Sequence, residues 1–222
     1  MLIIQDSSTL QQFCHTLAQY DFITVDLEFQ REKTYYPQLG LIQVACLGGE
    51  GVIDPLAAGL DLSAFIEVLR APNITKVFHS CRQDIEILYQ LCGFIPTPLF
   101  DTQIAAQVCG FGASVSYEAL VRQILGIELD KSCRLTNWCI RPLNEKQLEY
   151  AISDVTHLIK IYEFLRQYMQ EHHREDWIAD EMAPLLSPKT YTIDPYEVWE
   201  RIRPHSHNAK YLTLLRELAA WR

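Results

Sequence analysis

Phe22-Ile23-Thr24-Val25-Asp26-Leu27-Glu28-Phe29 reads as a buried β-strand that carries two acids, Asp26 and Glu28, inside its apolar run. Successive side chains on a strand point to opposite faces, so Asp26 and Glu28 share one face and Val25, Leu27 and Phe29 share the other. Two carboxylates about 6–7 Å apart along a strand repel each other, and their burial is costly unless positive charge sits between them. A divalent cation is the natural partner. The same pair at a strand end in water would need none, so the rest of the chain has to decide.

Before this strand, Asp6 or Ser7-Ser8 caps a helix over residues 9–18, with Leu10, Phe13, Cys14 and Leu17 on one face. After it, residues 30–40 read as a polar, aromatic loop ending in Pro37 and Gly40. Leu41 to Leu47 and Val52 to Asp54 follow as strands about a Gly48-Gly49 turn, which makes three antiparallel strands early in the chain. The pattern then becomes helical from Asp61, with Leu62, Phe65, Ile66 and Leu69 at helical spacing. A short strand is expected at Lys76 to His79, and a helix from Asp84 to Cys92 stopped by Gly93. Leu99-Phe100 leads into a helix at Asp101-Thr102, and Ser116 opens another.

The longest helix begins at a capping box of Asn144 and Gln147 and carries an apolar stripe of Leu148, Ala151, Ile152, Val155, Leu158, Ile159, Tyr162 and Leu165. Tyr150 and Asp154 lie four apart on that helix and stack on one face. Strands before helices, then alternating strand and helix, indicate an α/β domain with helices covering a mixed sheet. The expected organisation is a catalytic domain over 1–186, a linker over 187–195, and a helical extension over 196–222 broken at Pro204.

Asp84, close after the strand end Phe78-His79, and Asp154, paired with Tyr150, are each weak signals alone, because surface acids are common. Taken with the acidic strand they form three ordered motifs: Asp26-Leu27-Glu28-Phe29, His79-Ser80-Cys81-Arg82-Gln83-Asp84, and Tyr150-Ala151-Ile152-Ser153-Asp154. This set resembles the tyrosine-bearing branch of the DEDD superfamily of 3′→5′ exonucleases, and within it the ribonuclease D family. The intervening text is similar too, at residues 34–43, Ile53-Asp54-Pro55-Leu56, Phe100-Asp101-Thr102-Gln103, Asp130-Lys131-Ser132, and Trp138 with Arg141-Pro142-Leu143. Leu27 stands where the family usually has Thr. Tyr196 to Arg222 resembles only the opening of the helicase-and-RNase-D C-terminal domains that longer members carry.

The resemblance implies a ribonuclease H-like fold and a site of Asp26, Glu28, Asp84, Tyr150 and Asp154. It implies two divalent cations, Mg²⁺ or Mn²⁺, held by the four carboxylates. Asp26 would bridge both, Glu28 and Asp154 would serve the nucleophile side, and Asp84 the other side through water. Such hard cations prefer oxygen ligands. Tyr150 would orient the attacking water, since a phenol with an ordinary pKa of about 10 is a poor base at neutral pH.

Leu27, Phe29, His79 and Tyr35 or Tyr36 are the candidates to contact the terminal nucleotide, aromatic faces being sequence-tolerant stacking platforms, and Arg82 and Lys131 are candidates to contact phosphates. His79 is weighed as a structural histidine before a ligand, no second His standing at metal spacing. Arg31, Lys33, Arg134 and Arg141 are further candidates for phosphate contact. The substrate implied is RNA with a 3′ end, tRNA precursors foremost. The acid set is shared with DNA exonucleases, and a catalytically inactive RNA-binding module is the reading from another class. No obligate protein partner is evident.

With 222 residues and a net charge of −9, the chain is ample for one core and does not suit a protein gripping nucleic acid by a broad basic surface. Bound metals would supply the missing positive charge. Seven scattered cysteines without a C-x-x-C pair read as reduced packing residues. No apolar run approaches a membrane span and the first residues lack a signal-peptide pattern, so no membrane partner and a cytoplasmic location are expected. Neither a G-x-S-x-G elbow nor a glycine-rich GK[ST] loop occurs.

Overall fold

The structure is a computed structural model that describes residues 2–32, 34–130, 133, 136–192 and 194–222. It contains two compact units, residues 1–186 and 187–222. In the first, the chain runs β1 (Leu2–Ile4), α1 (Ser7–Leu17), β2 (Phe22–Gln30), β3 (Gln38–Cys46), β4 (Gly49–Ile53), α2 (Ser63–Arg70), β5 (Thr75–Phe78) and α3 (Arg82–Cys92). β6 (Leu99–Asp101), α4 (Thr102–Val108), α5 (Tyr117–Leu125), α6 (Glu145–Glu171) and α7 (Glu175–Met182) complete it.

The strands form one sheet in the order β1-β4-β3-β2-β5-β6. β2, β3 and β4 are antiparallel, and β1, β5 and β6 join in parallel. This is the mixed sheet flanked by helices that the sequence led us to expect. Strand β1 was not anticipated: it has three residues, of which only Ile4 is buried, too few for any alternation to register.

Strand β3 begins at Gln38, three residues earlier than the hydrophobic pattern suggests, so the polar loop is shorter than residues 30–40. The ladder steps from Glu28↔Leu41 to Phe29↔Leu39, which leaves Gly40 as the extra residue of a β-bulge. A Cβ on Gly40 would lie 2.9 Å from the Trp138 carbonyl oxygen and 3.0 Å from its carbon, both backbone atoms. Backbone cannot swing away as a flexible side chain can. Gly40→Ala is therefore expected to destabilise the fold by about 1–3 kcal/mol through overpacking, read as a lower urea midpoint at unchanged m-value.

Helix α6 has both bonds of its capping box, Asn144 with Gln147, and lies across β3, β2 and β4. Its buried stripe includes Leu148, Ala151, Val155, Leu158, Tyr162 and Leu165 as expected, with Ile161 and Met169 in place of the half-buried Ile152 and Ile159. Beyond the sheet, Ile161, Leu165 and Met169 pack with Ala105 and Ala106 of α4 and with Leu120 and Val121 of α5.

The second unit holds 3₁₀ turns at Pro188–Thr190 and Val198–Arg201 and a helix, α8 (Ala209–Trp221), capped by Asn208. Ahead of the expected break at Pro204, helical structure is limited to the 3₁₀ turn Val198–Arg201. Pro204 cannot donate into a helical turn, and the chain stays irregular until the Asn208 cap.

Candidate metal and active site

On β2, Thr24, Asp26 and Glu28 face α6. The Thr24 hydroxyl donates to the Val155 carbonyl at 2.9 Å, pinning the helix one residue beyond Asp154. From the other side the Tyr117 hydroxyl lies 2.7 Å from the Asp154 carbonyl and 3.1 Å from that of Ser153. These two clamps set the rotation of α6 over the sheet. As a result carboxylate oxygens of Asp26, Glu28 and Asp154 all lie within 4.8 Å of one another.

Asp84 reaches the same place from α3. Asp101, at the end of β6, accepts the backbone N–H groups of Ser80 at 2.9 Å and Cys81 at 2.9 Å while capping α4 through Gln103 N at 2.8 Å. Ser80 meanwhile adopts a left-handed φ of 59°. That turn starts α3 at Arg82, two residues before the expected start, and buries Asp84 in its first turn. Asp84 stands outside the tight trio, close enough to Asp26 for their charges to repel.

Burial dominates the electrostatics. It pushes the Asp26 carboxyl up to about 7 against one opposing backbone bond. Burial, then the charges of Asp26 and Asp101, raises Asp84 well above the carboxylate range. Burial, then Asp26, raises Asp154 despite the Tyr150 hydroxyl bonded to it. Tyr150 itself is raised by burial and then by Asp154, Glu28 and Asp26, so it remains a neutral phenol at any physiological pH.

Asp26, Tyr150 and Asp154, though not Asp84, line a cleft of about 560 Å³. Its walls include Leu27, Phe29, His79, Tyr117, Tyr150 and Leu158. Five acids line it, Asp26, Glu28, Glu118, Asp130 and Asp154, and among the described residues no Lys or Arg does. Asp26, Glu28 and Asp154 offer hard oxygen donors converging on one point, and they cannot all ionise in a partly desolvated site without added positive charge. This donor set fits Mg²⁺ or Mn²⁺ and does not fit a thiophilic metal.

His79 is held on both nitrogens, Nε2 3.2 Å from the Val115 carbonyl and Nδ1 2.9 Å from the Thr102 hydroxyl. A carbonyl only accepts, which places the proton on Nε2. Burial lowers its pKa, with Asp101, Val115 and Glu118 opposing. His79 thus forms a fixed, neutral wall of the cleft.

Tyr36 is exposed on the loop before β3, and Arg82 is exposed on α3; neither lines the cleft. Lys33, Lys131 and Arg134 lie outside the described residues. Arg31 forms a two-bond ion pair with Glu86 at 2.9 and 3.0 Å. Arg141 is not at the cleft: both bonding edges of its guanidinium are taken by Asp54, Gly40, Trp138 and Ile140. Sequence reasoning passed over Tyr117 and Glu118, and met Asp101 only as a helix start within a family-like stretch. Tyr117 and Asp101 act on backbone groups distant in sequence, and no local pattern reports such contacts.

A 3′-5′ exonuclease family model matches residues 1–170. The ribonuclease D of Granulibacter bethesdensis is 46% identical over 220 residues, 99% of this chain and 56% of that protein. That of Bartonella henselae is 45% identical over 222 residues, 100% of this chain and 55% of that protein. The crystal structure of Escherichia coli RNase D, described as an exoribonuclease involved in structured RNA processing, superposes with a TM-score of 0.89 at 34% identity, covering 99% of this chain and 58% of that one. The chain therefore spans a little over half the length of the curated relatives it matches. The likeness to ribonuclease D expected from three short motifs extends over the whole chain, and with the family match across residues 1–170 the chain belongs to the 3′-5′ exonuclease family.

Proposed function

We propose that this chain is a metal-dependent 3′→5′ exoribonuclease that releases nucleoside 5′-monophosphates one at a time, with structured RNA such as tRNA precursors as substrate. The observation that carries the reading is the cleft with its three convergent carboxylates, a fourth buried beside Asp26, and no described basic residue to receive a phosphodiester. The choice of RNA rests on the ribonuclease D relatives.

Asp26, Glu28 and Asp154, with Asp84 beside them, would hold two divalent cations. Bound in pairs, such cations activate water and stabilise charge on the leaving 3′ oxygen. The protein's own groups supply position. Tyr150, bonded to Asp154 and leaning on Trp138 with ring centroids 6.0 Å apart, presents its hydroxyl to the attacking water. Phe29, Leu27 and the neutral His79 wall the terminal nucleotide without adding charge.

The test is nucleotide release from 5′-labelled RNA with a single-stranded 3′ tail. A stepwise ladder with Mg²⁺ or Mn²⁺ is expected, lost with EDTA and in Asp154→Ala. No ladder on RNA but one on matched DNA would overturn the substrate assignment, and silence on both would leave a binding module.

Tyr150→Phe separates an orienting phenol from a base. The variant should lose about ten- to a hundredfold in kcat, below the full contribution of a general base, because it only loosens the water. Its pH–rate profile should keep the wild-type slope. A slope that disappears in the variant would assign Tyr150 a proton-transfer role.

A further inference from the structure

Gln43 sits on β3 directly opposite Asp26 on β2, so the two side chains project from the same face of the sheet, beneath α6. It is fully buried, and neither its amide nitrogen nor its carbonyl oxygen has a hydrogen-bond partner. Along β3 and towards β4 its neighbours on that face are apolar, while Asp26 lies across from it on β2. Leu41 lies two residues before it, and Val52 is its partner on β4. Both pack with Trp138, Leu148 and Ala151. Interior amides are almost always bonded, and leaving both ends of one unpaired is costly where a Leu or Met would fill the same space. By strand register the carboxylate of Asp26 is the ionisable group set directly across from it. Directly opposed residues of an antiparallel pair have Cβ atoms about 4.5–5.5 Å apart, within reach of a glutamine side chain.

We propose that Gln43 is a positioning residue for the metal site: its Nε2–H donates to the Asp26 carboxylate when that carboxylate engages divalent cations, fixing the orientation in which Asp26 bridges them. The inference rests on the metal-dependent reading above. A carboxylate that serves two cations must present its oxygens in defined directions, and a strand residue has two side-chain torsions free to spoil this. One amide donor behind it removes that freedom. Groups that orient metal ligands in this manner are commonly worth ten- to a hundredfold in metal affinity.

The test uses Gln43→Met, which preserves length and volume and removes both polar ends. Mn²⁺ binding is measured by calorimetry on wild type and variant, with thermal melts in EDTA as the control for folding. The variant should melt in EDTA at or above the wild-type temperature, since an unbonded amide has been removed, yet bind Mn²⁺ about ten- to a hundredfold more weakly. A purely structural Gln43 would leave affinity unchanged, and that result would overturn the proposal.

Should the variant fail to fold, the wild-type protein decides. The side-chain NH₂ resonances of Gln43 should shift and gain protection from exchange on titration with Mg²⁺. Resonances that do not move would also overturn it. Wild-type protein that binds neither ion would instead bring down the metal-dependent reading itself, whereas equal binding by wild type and variant removes only the role of Gln43.

Discussion

Asp26→Asn is expected to lower 3′-nucleotide release by about a thousandfold or more, equivalent to about 4 kcal/mol on the barrier, while making the protein more stable in EDTA. Both effects have one cause. Asp26 is the carboxylate that the other three acids surround, and its amide replacement can bridge nothing with negative charge. In the absence of cations, though, its ionised form is a liability.

The sign follows from the pKa. Asp26 rises from an ordinary 3.8 to about 7 in the fold, so between those values the native state holds a proton that the unfolded chain has released. The Asp26 contribution to wild-type stability in chelator therefore falls as pH rises from about 4 to about 7, and Asp84 and Asp154, shifted the same way, deepen the fall. Asp26→Asn should melt above wild type at pH 8 and lose that advantage near pH 4. Added Mn²⁺ should raise the wild-type melting temperature more than that of the variant. Melts showing wild type more stable at pH 8 than at pH 5 in EDTA would contradict this account.

Arg141→Ala is expected to cost about 2–4 kcal/mol of stability without weakening RNA binding by the protein that remains folded. The Arg141 guanidinium donates from Nε to Asp54 at 2.8 Å and from Nη2 to Asp54 at 2.6 Å and to the Gly40 carbonyl at 2.6 Å. Nη1 takes the carbonyls of Trp138 at 2.7 Å and Ile140 at 3.0 Å. It therefore ties the segment carrying Trp138 to the bulge of β3 and to the end of β4. Burial opposes ionisation of Asp54, yet the bonds from Arg141 and Gln5 hold its carboxyl below the ordinary value.

Removing the arginine strands a carboxylate whose side chain is 5% exposed. The loss stays below the roughly 3–5 kcal/mol of a fully buried pair because Arg141 itself is 25% exposed. Arg141→Lys should recover little, since a single ammonium cannot reproduce a planar fork spread over four residues. Denaturant midpoints measured beside RNA binding at low temperature check both halves. An unchanged midpoint with weakened binding would return Arg141 to the role of a phosphate contact.

The candidate site residues stand out in the chain because they break local rules. Asp26 and Glu28 interrupt an apolar strand, and Tyr150 and Asp154 stand four apart beside a continuous helical stripe. The capping box at Asn144 and the glycine stop at Gly93 were equally local and equally visible. Strand β1 left no such mark, and neither did the bulge at Gly40, because pairing partners rather than residue types define them.

Arg31 and Arg141 show where reading residue types ends. As sequence they are basic side chains near acidic motifs and so candidates for phosphate. In the fold each already forms an ion pair, one with Glu86 and the other with Asp54. The sequence by itself determined the strand and helix periods, the caps and the identity of the acids, all of which depend on neighbours within about one helical turn. Only the tertiary structure decided that Thr24 and Tyr117 hold α6 at the rotation that brings Asp154 to Asp26, that Asp101 builds the turn delivering Asp84, and that Gln43 lies unbonded across from Asp26. Those contacts join residues 17 to 131 positions apart, and they form because burying the α6 stripe against the sheet leaves one arrangement in which the facing polar groups can meet.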